Sequence, residues 1–219
     1  MKKACIFDLD GTLTNTLPTI AYYANGALRA NGLLPFEENE YRYFVGNGAK
    51  ALVRRMLAER GVTDEQTFLR VYRDYNAAYD AAPLYLTEIY PGVKELLVSL
   101  VSRGVRLAVL SNKPDYAAKE VVRHFFGEIF DVAHGAREGI PLKPAPNALW
   151  TLLEELGGIS LNDALYVGDS SVDMETGKAA GVSTVGVSWG FRDREELLAH
   201  GADAIADRAE QIAALCASL

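Results

Sequence analysis

The sequence predicts an α/β fold, a parallel β-sheet with helices on both faces and an all-helical segment inserted after the first strand. Three observations carry this. Short apolar runs of strand length alternate with longer helix-like stretches. The alternation fails once, between residues 15 and 83, where helical patterns occur and no strand does. Charge divides at the same place: that segment holds eight basic and eight acidic residues, so the whole formal charge of −7 resides in the remainder of the 219-residue chain.

The strands are read from near-continuous apolar runs, the pattern of a sheet buried on both faces. They are Ala4–Phe7, Val105–Leu110, Ala164–Val167 and Val182–Val187, with poorer candidates at Phe130–Ala133 and Ala202–Ala206. Between them lie helices. Val93–Val101 is bounded by Pro91-Gly92 and Arg103-Gly104, Asp115–Phe126 follows Pro114, and Asn147–Leu156 ends at Gly157-Gly158, the usual punctuation of helix ends. In the insert, Leu17, Ile20, Ala24, Ala27 and Leu28 share one helical face. Lys50–Arg60 and Glu65–Tyr79 supply two further helices. The expected organisation is a discontinuous core of residues 1–14 and 84–219, strand order 3-2-1-4-5, and a helical domain over 15–83.

Composition excludes several classes. An acidic chain without basic clusters suits neither nucleic acid nor an anionic membrane surface. The longest uncharged stretch, Gly11–Leu28, has Gly, Pro, Thr or Asn at nine of eighteen positions and cannot be a membrane span. Asp8 interrupts the start too early for a signal-peptide core. Cys5 and Cys216 have no metal-ligand spacing and read as buried reduced thiols, which points to the cytoplasm. Trp150 and Trp189 read as core residues.

Polar clusters follow three of the strands: Asp8-Leu9-Asp10-Gly11-Thr12, Ser111-Asn112-Lys113, and Gly168-Asp169-Ser170-Ser171-Val172-Asp173. Strand carboxyl ends form the ligand crevice of an open parallel sheet, so the three clusters meet there. Lys143-Pro144, in a loop, can reach the same edge. Up to four carboxylates then face one cation, Lys143, and two like charges ~4 Å apart repel by about 4 kcal/mol at an effective dielectric near 20. A hard divalent cation resolves the conflict, and Mg²⁺ fits a few carboxylates plus a phosphate. The three histidines are scattered outside these clusters. A carboxylate can attack phosphorus to give an acyl phosphate, and a second one two residues on can protonate the leaving oxygen and then activate water. A hydroxyl, a backbone N–H and a lysine can hold the equatorial oxygens.

DLDGTLT, SNK, KP and GDSSVD, in this order, resemble the four motifs of the haloacid dehalogenase superfamily of phosphohydrolases. The resemblance spans Asp8 to Asp173 and implies a Rossmann-like parallel core with a small helical cap inserted after the first motif. It implies Asp8 as nucleophile, Asp10 as general acid/base, Ser111 as the phosphate-binding hydroxyl and Lys143 as the charge-stabilising lysine. Leu9 and Asn112 would bind substrate. The metal would be held by Asp8, Asp10 (through its main-chain carbonyl) and Asp169, with Asp173 assisting. The presence of Asp10 favours P–O cleavage within this superfamily. Phe44-Val45-Gly46-Asn47-Gly48 and Lys143-Pro144-Ala145-Pro146 are similar to phosphoglycolate phosphatases, which implies Gly46, Asn47 and Gly48 at the substrate. One departure is Asn15-Thr16, where many members carry Asp-Ser.

The implied function is Mg²⁺-dependent hydrolysis of a small phosphorylated metabolite, with 2-phosphoglycolate leading, by a monomer or weak homodimer. Rivals are a sugar-phosphate mutase, a pyrophosphatase or nucleotidase of the same superfamily, and a phospho-acceptor signalling domain. Simpler roles stay open at several positions. Asp173 could cap a helix, and Gly46 and Gly48 could merely interrupt one. Arg42, Lys50, Arg54 and Arg55 could bind a second anionic group or be solvated. The tyrosines crowded between Tyr22 and Tyr90 suit packing of the insert.

Overall fold

The structure is a computed structural model describing residues 1–219. The chain forms two compact units, Met1–Asn15 with Ile89–Leu219, and Thr16–Glu88.

The first unit is built on a six-stranded sheet. Its strands are β1 (Ala4–Phe7), β4 (Arg106–Pro114), β5 (Val132–Ala136), β6 (Ala164–Gly168), β7 (Ser183–Val187) and β8 (Ala204–Ala206). They lie in the order β5-β4-β1-β6-β7-β8, and every pairing is parallel. The expected order 3-2-1-4-5 therefore holds, with a sixth strand added beside the fifth. Short β2 (Thr14–Asn15) and β3 (Glu88–Ile89), where the chain passes between units, form a separate two-stranded sheet. The helices are α4 (Val93–Ser102), α5 (Asp115–Phe126), α6 (Asn147–Glu155), α7 (Ser171–Ala180), α8 (Arg194–Ala199) and α9 (Ala209–Ser218).

All four residues of β1 are fully buried, as a central parallel strand requires. Alternation splits them between two layers. Ala4 and Ile6 join Ala108, Leu110, Ala164 and Tyr166 against Leu149, Leu152 and Leu153 of α6. Cys5 and Phe7 point the other way. Cys5 and Cys216 are both free and buried, as expected. The fold brings these chain-end residues into electrostatic reach of each other; burial, with a smaller push from Cys216, raises the Cys5 thiol.

Three expectations need correction. Ser111, Asn112 and Lys113 belong to β4, not to a loop after it; the register shift between Leu110 and Pro114 lets the chain stay extended beyond its apolar run. The third strand runs Val132–Ala136, not Phe130–Ala133, because its pairing with β4 starts at Ala108 and Val132 and continues through the buried His134. Trp150 is no core residue: it is 44% exposed on α6 and its indole N–H donates to the Ala180 carbonyl.

The second unit contains α1 (Leu17–Ala30), a 3₁₀ segment (Glu38–Tyr43), α2 (Gly48–Glu59) and α3 (Glu65–Ala81). The five α1 positions expected on one face are all buried. Asp64 caps α3 by accepting from the Thr67 N–H at 2.8 Å. The 3₁₀ segment carries no apolar period, but it buries Tyr41, whose hydroxyl donates to the Asn25 side chain. No helix in the chain is long and apolar enough to cross a membrane.

Candidate active site at the strand carboxyl ends

Asp8 follows β1 directly, with its N–H bonded to the Val167 carbonyl of the neighbouring strand. The chain then turns tightly. Leu13 and Thr14 donate to the Leu9 carbonyl, Gly11 donates to Thr14, and Gly11 has φ +97°. A Cβ at Gly11 would also collide with the Asp169 carboxylate. Glycine is thus needed both for the left-handed backbone and for the close approach of the next strand's aspartate.

Four of the expected groups meet. Ligand oxygens of Asp8, Asp169 and Asp173 all lie within 4.8 Å of one another. Lys143 reaches into the cluster and donates to Asp8 Oδ1 at 2.8 Å and Asp173 Oδ1 at 2.7 Å. All four side chains are buried. Burial, then the charge of Asp173, raises the Asp8 carboxyl well above its usual range. The same two causes push Asp169 up to about 7. Burial works against the Lys143 charge, yet Asp173 and Asp8 outweigh it and hold that ammonium well above its ordinary pKa. One lysine thus leaves three crowded carboxylates under-compensated, and only oxygen donors are present. Such a site fits a hard divalent cation.

Asp169 is held on several sides. The Phe191 N–H donates to its Oδ2 at 2.7 Å and the Thr12 hydroxyl to its Oδ1 at 3.4 Å. A Cβ at Gly190 would strike its own Cβ. Asp173 fills the capping role the sequence left open and also joins the buried cluster. Its Oδ2 accepts from the Ser170 N–H and hydroxyl, closing the capping box of α7. Its Oδ1 takes Lys143 and the Tyr166 hydroxyl, the latter at 3.0 Å.

Asp10 stands apart from this group. Both its carboxylate oxygens accept from Lys113 Nζ, at 3.0 and 3.2 Å. The sequence reading credited the crevice with a single cation, and the structure supplies a second in Lys113. Ser111 is buried in β4, and its hydroxyl oxygen accepts from the Lys113 N–H at 3.2 Å. Both ends of the Asn112 amide grip the Lys143 main chain, at 2.9 and 3.1 Å. This side chain holds the lysine loop. Gly46, Asn47 and Gly48 belong to the second unit. There the Arg55 guanidinium donates to the Phe44 and Val45 carbonyls and to Asn47 Oδ1, so Arg55 is a fastener of that loop.

Sequence reading gave no role to Tyr166, to the Lys113 side chain or to Gly190-Phe191, and it read Trp189 as core, whereas Trp189 is half-buried and its indole N–H donates to the Thr12 carbonyl. Tyr166 lies in a run read only as a strand. Gly190-Phe191 follows a strand end without any acidic signal. Lys113 stands in the same polar cluster as Ser111, but nothing in the sequence marks its side chain as turned inward.

Comparison with known proteins identifies the family of the chain. A family model for haloacid dehalogenase-like hydrolase matches residues 5–187. A phosphoglycolate phosphatase of Rhodospirillum rubrum is 39% identical over 215 residues, covering 94% of this chain and 88% of that protein. One from Cereibacter sphaeroides is 37% identical over 194 residues, covering 85% of each. A solved Lactobacillus delbrueckii subsp. bulgaricus structure, assigned as a phosphoglycolate phosphatase, superposes with TM-score 0.93 at 30% identity over 99% of both chains. The strand-end aspartates thus sit in a chain matched over most of its length, and that chain belongs to the haloacid dehalogenase-like hydrolases.

Proposed function

We propose that this phosphomonoester hydrolase is a Mg²⁺-dependent phosphatase acting on 2-phosphoglycolate through an aspartyl-phosphate at Asp8. The observation that carries the reading is the buried junction of Lys143 with Asp8 and Asp173, beside Asp169. The substrate is suggested by what the relatives are named for.

The reaction falls into two displacements. The Asp8 carboxylate attacks phosphorus, and the bond from phosphorus to the substrate oxygen breaks. Asp10 gives that oxygen its proton and becomes a carboxylate. It then takes a proton from water, whose oxygen attacks the acyl phosphate and frees Asp8. Lys143 holds Asp8 in line and, with the Ser111 hydroxyl and the Leu9 backbone, meets charge spread over the equatorial oxygens. Mg²⁺, held by Asp8, Asp169 and the Asp10 carbonyl with Asp173 in support, would neutralise phosphoryl charge. Asn112 would act through the lysine loop, and Gly46, Asn47 and Gly48 would contact the organic part of the substrate. Two free buried thiols suit a cytoplasmic setting.

A panel scored by phosphate release in Mg²⁺ tests this directly. We expect 2-phosphoglycolate to outrank sugar phosphates, pyrophosphate and nucleotides, excess EDTA to stop turnover, and Asp8→Asn to abolish it while the fold persists. Preference for another class by an order of magnitude would overturn the substrate assignment. Full activity in EDTA would overturn the metal's role.

A further inference from the structure

We propose that Lys113 is the positioning residue of Asp10: its ammonium fixes the carboxylate that must deliver a proton to the leaving oxygen and then take one from water. This rests on the reading of Asp10 as the acid/base.

Lys113 Nζ lies nearly equidistant from both Asp10 oxygens, at 3.0 and 3.2 Å. The lysine side chain is only 4% exposed, whereas Asp10 is 20% exposed. The buried member of the pair is therefore the cation, and the partly open member is the group that meets solvent and substrate. Such an arrangement orients the carboxylate from behind and leaves its outer side accessible.

The seat of Lys113 is rigid. It lies in β4, its N–H donates to the Ser111 hydroxyl oxygen, and its carbonyl packs so closely on β5 that Gly135 has no room for a Cβ. Asp10, by contrast, sits in the turn after β1, bridged to Thr14. A swinging carboxylate would spend much of its time away from the leaving oxygen, and a displacement of ~1 Å can cost on the order of a hundredfold in rate. Asp10 is absent from the Asp8, Asp169 and Asp173 cluster, so the crowding there does not aim it. Lys113 does. The same strand would thus supply the proposed phosphate-binding hydroxyl of Ser111 and the aim of the acid/base from Lys113.

The test is a double-mutant cycle of Lys113→Met and Asp10→Asn, assayed with Mg²⁺ on 2-phosphoglycolate and on p-nitrophenyl phosphate. The nitrophenolate leaving group needs little protonation. Wild-type turnover of either ester shows that the phosphatase reading stands, whatever the cycle gives. Asp10→Asn should lower kcat by about 10²–10⁴-fold on 2-phosphoglycolate, the range for general acid–base catalysis. Lys113→Met should lower kcat by more than about tenfold with KM little changed, and less on the nitrophenyl ester. In the Asp10→Asn background, Lys113→Met should cost no more than about twofold, because the group it aims is gone. Lys113→Arg, which keeps a cation on the same strand, should recover part of kcat. Equal losses from Lys113→Met with and without Asp10, or a rise in KM as the main effect, would overturn the proposal and make Lys113 a direct substrate contact. Should Lys113→Met fail to fold, Lys113→Arg alone decides: wild-type kcat on both esters would contradict a demand for this geometry.

Discussion

Single residues here carry several constraints at once. Gly11 combines φ +97° with a Cβ position that would overlap the Asp169 carboxylate. Gly11→Ala should therefore destabilise the fold by about 1–3 kcal/mol and displace the Asp169 carboxylate, the proposed metal ligand. Denaturant unfolding and Mg²⁺ titration of activity would check this; unchanged stability with unchanged Mg²⁺ demand would contradict it. Tyr166 makes a different case. Its hydroxyl donates to Asp173 Oδ1 within the core, and hydrogen bonds to charged groups contribute about 1.5–3 kcal/mol. Tyr166→Phe should cost that much stability and lower activity less than Asp8→Asn, as unfolding and rate measurements on the same samples would reveal. The two positions also differ in legibility. Asp8 and Asp169 could be picked out because charged groups at apolar strand ends are conspicuous, and Lys143 by its Lys-Pro pair in a loop that can reach the same edge. Tyr166 was invisible, since a tyrosine inside an apolar run looks like core until its hydroxyl is found on a carboxylate. Lys113 was quoted with its motif but left without a role, because a sequence does not say which lysine turns inward.

At the scale of elements, strand existence could be read more surely than strand ends. Near-continuous apolar runs marked β1, β6 and β7 well, since a strand buried on both faces has no polar alternation to blur it. β4 runs on through Ser111, Asn112 and Lys113 to Pro114, and no apolar residue announces that extension. Helix bounds followed Gly and Pro punctuation closely: α5 runs from Asp115 to Phe126, as expected from Pro114 before it. The 3₁₀ segment escaped notice because it has no helical period. The loop before α2 shows an element held by one side chain. Arg55 donates to Phe44, Val45 and Asn47, so Arg55→Met should loosen Gly46-Asn47-Gly48 while leaving the catalytic cluster untouched. We expect KM for 2-phosphoglycolate to rise several-fold with kcat nearly unchanged. A fall in kcat at constant KM would deny that loop a part in binding.

On the scale of the whole molecule, charge couples the site to stability. Asp169 is pushed up to about 7 in the metal-free protein, and Asp8 is raised as well. An unfolded chain sheds an aspartate proton near pH 4, so between about pH 4 and pH 7 the folded state holds a proton that the unfolded state has lost. Unfolding free energy from these groups therefore falls as pH rises through that window. In the proposed role Mg²⁺ would bind the ionised form, so the rise in Tm that it produces should grow from about pH 5 to about pH 7. Melting curves with and without the ion would show this, and an equal shift at every pH would contradict it. The net charge of −7 was legible from composition, and the gathering of residues 8, 143, 169 and 173 was legible from their places at strand ends and in the loop beside them; the ion pairs of Lys143 with Asp8 and Asp173 were not, because only the folded sheet sets those contacts. The central claim is that this cluster makes Asp8 a nucleophile. Rapid acid quench of enzyme turning over substrate, followed by mass analysis of its peptides, tests that most directly. The account predicts one added phosphoryl group on the peptide bearing Asp8 and none in Asp8→Asn; a phosphoryl group on another residue, or unimpaired turnover by Asp8→Asn, would contradict it.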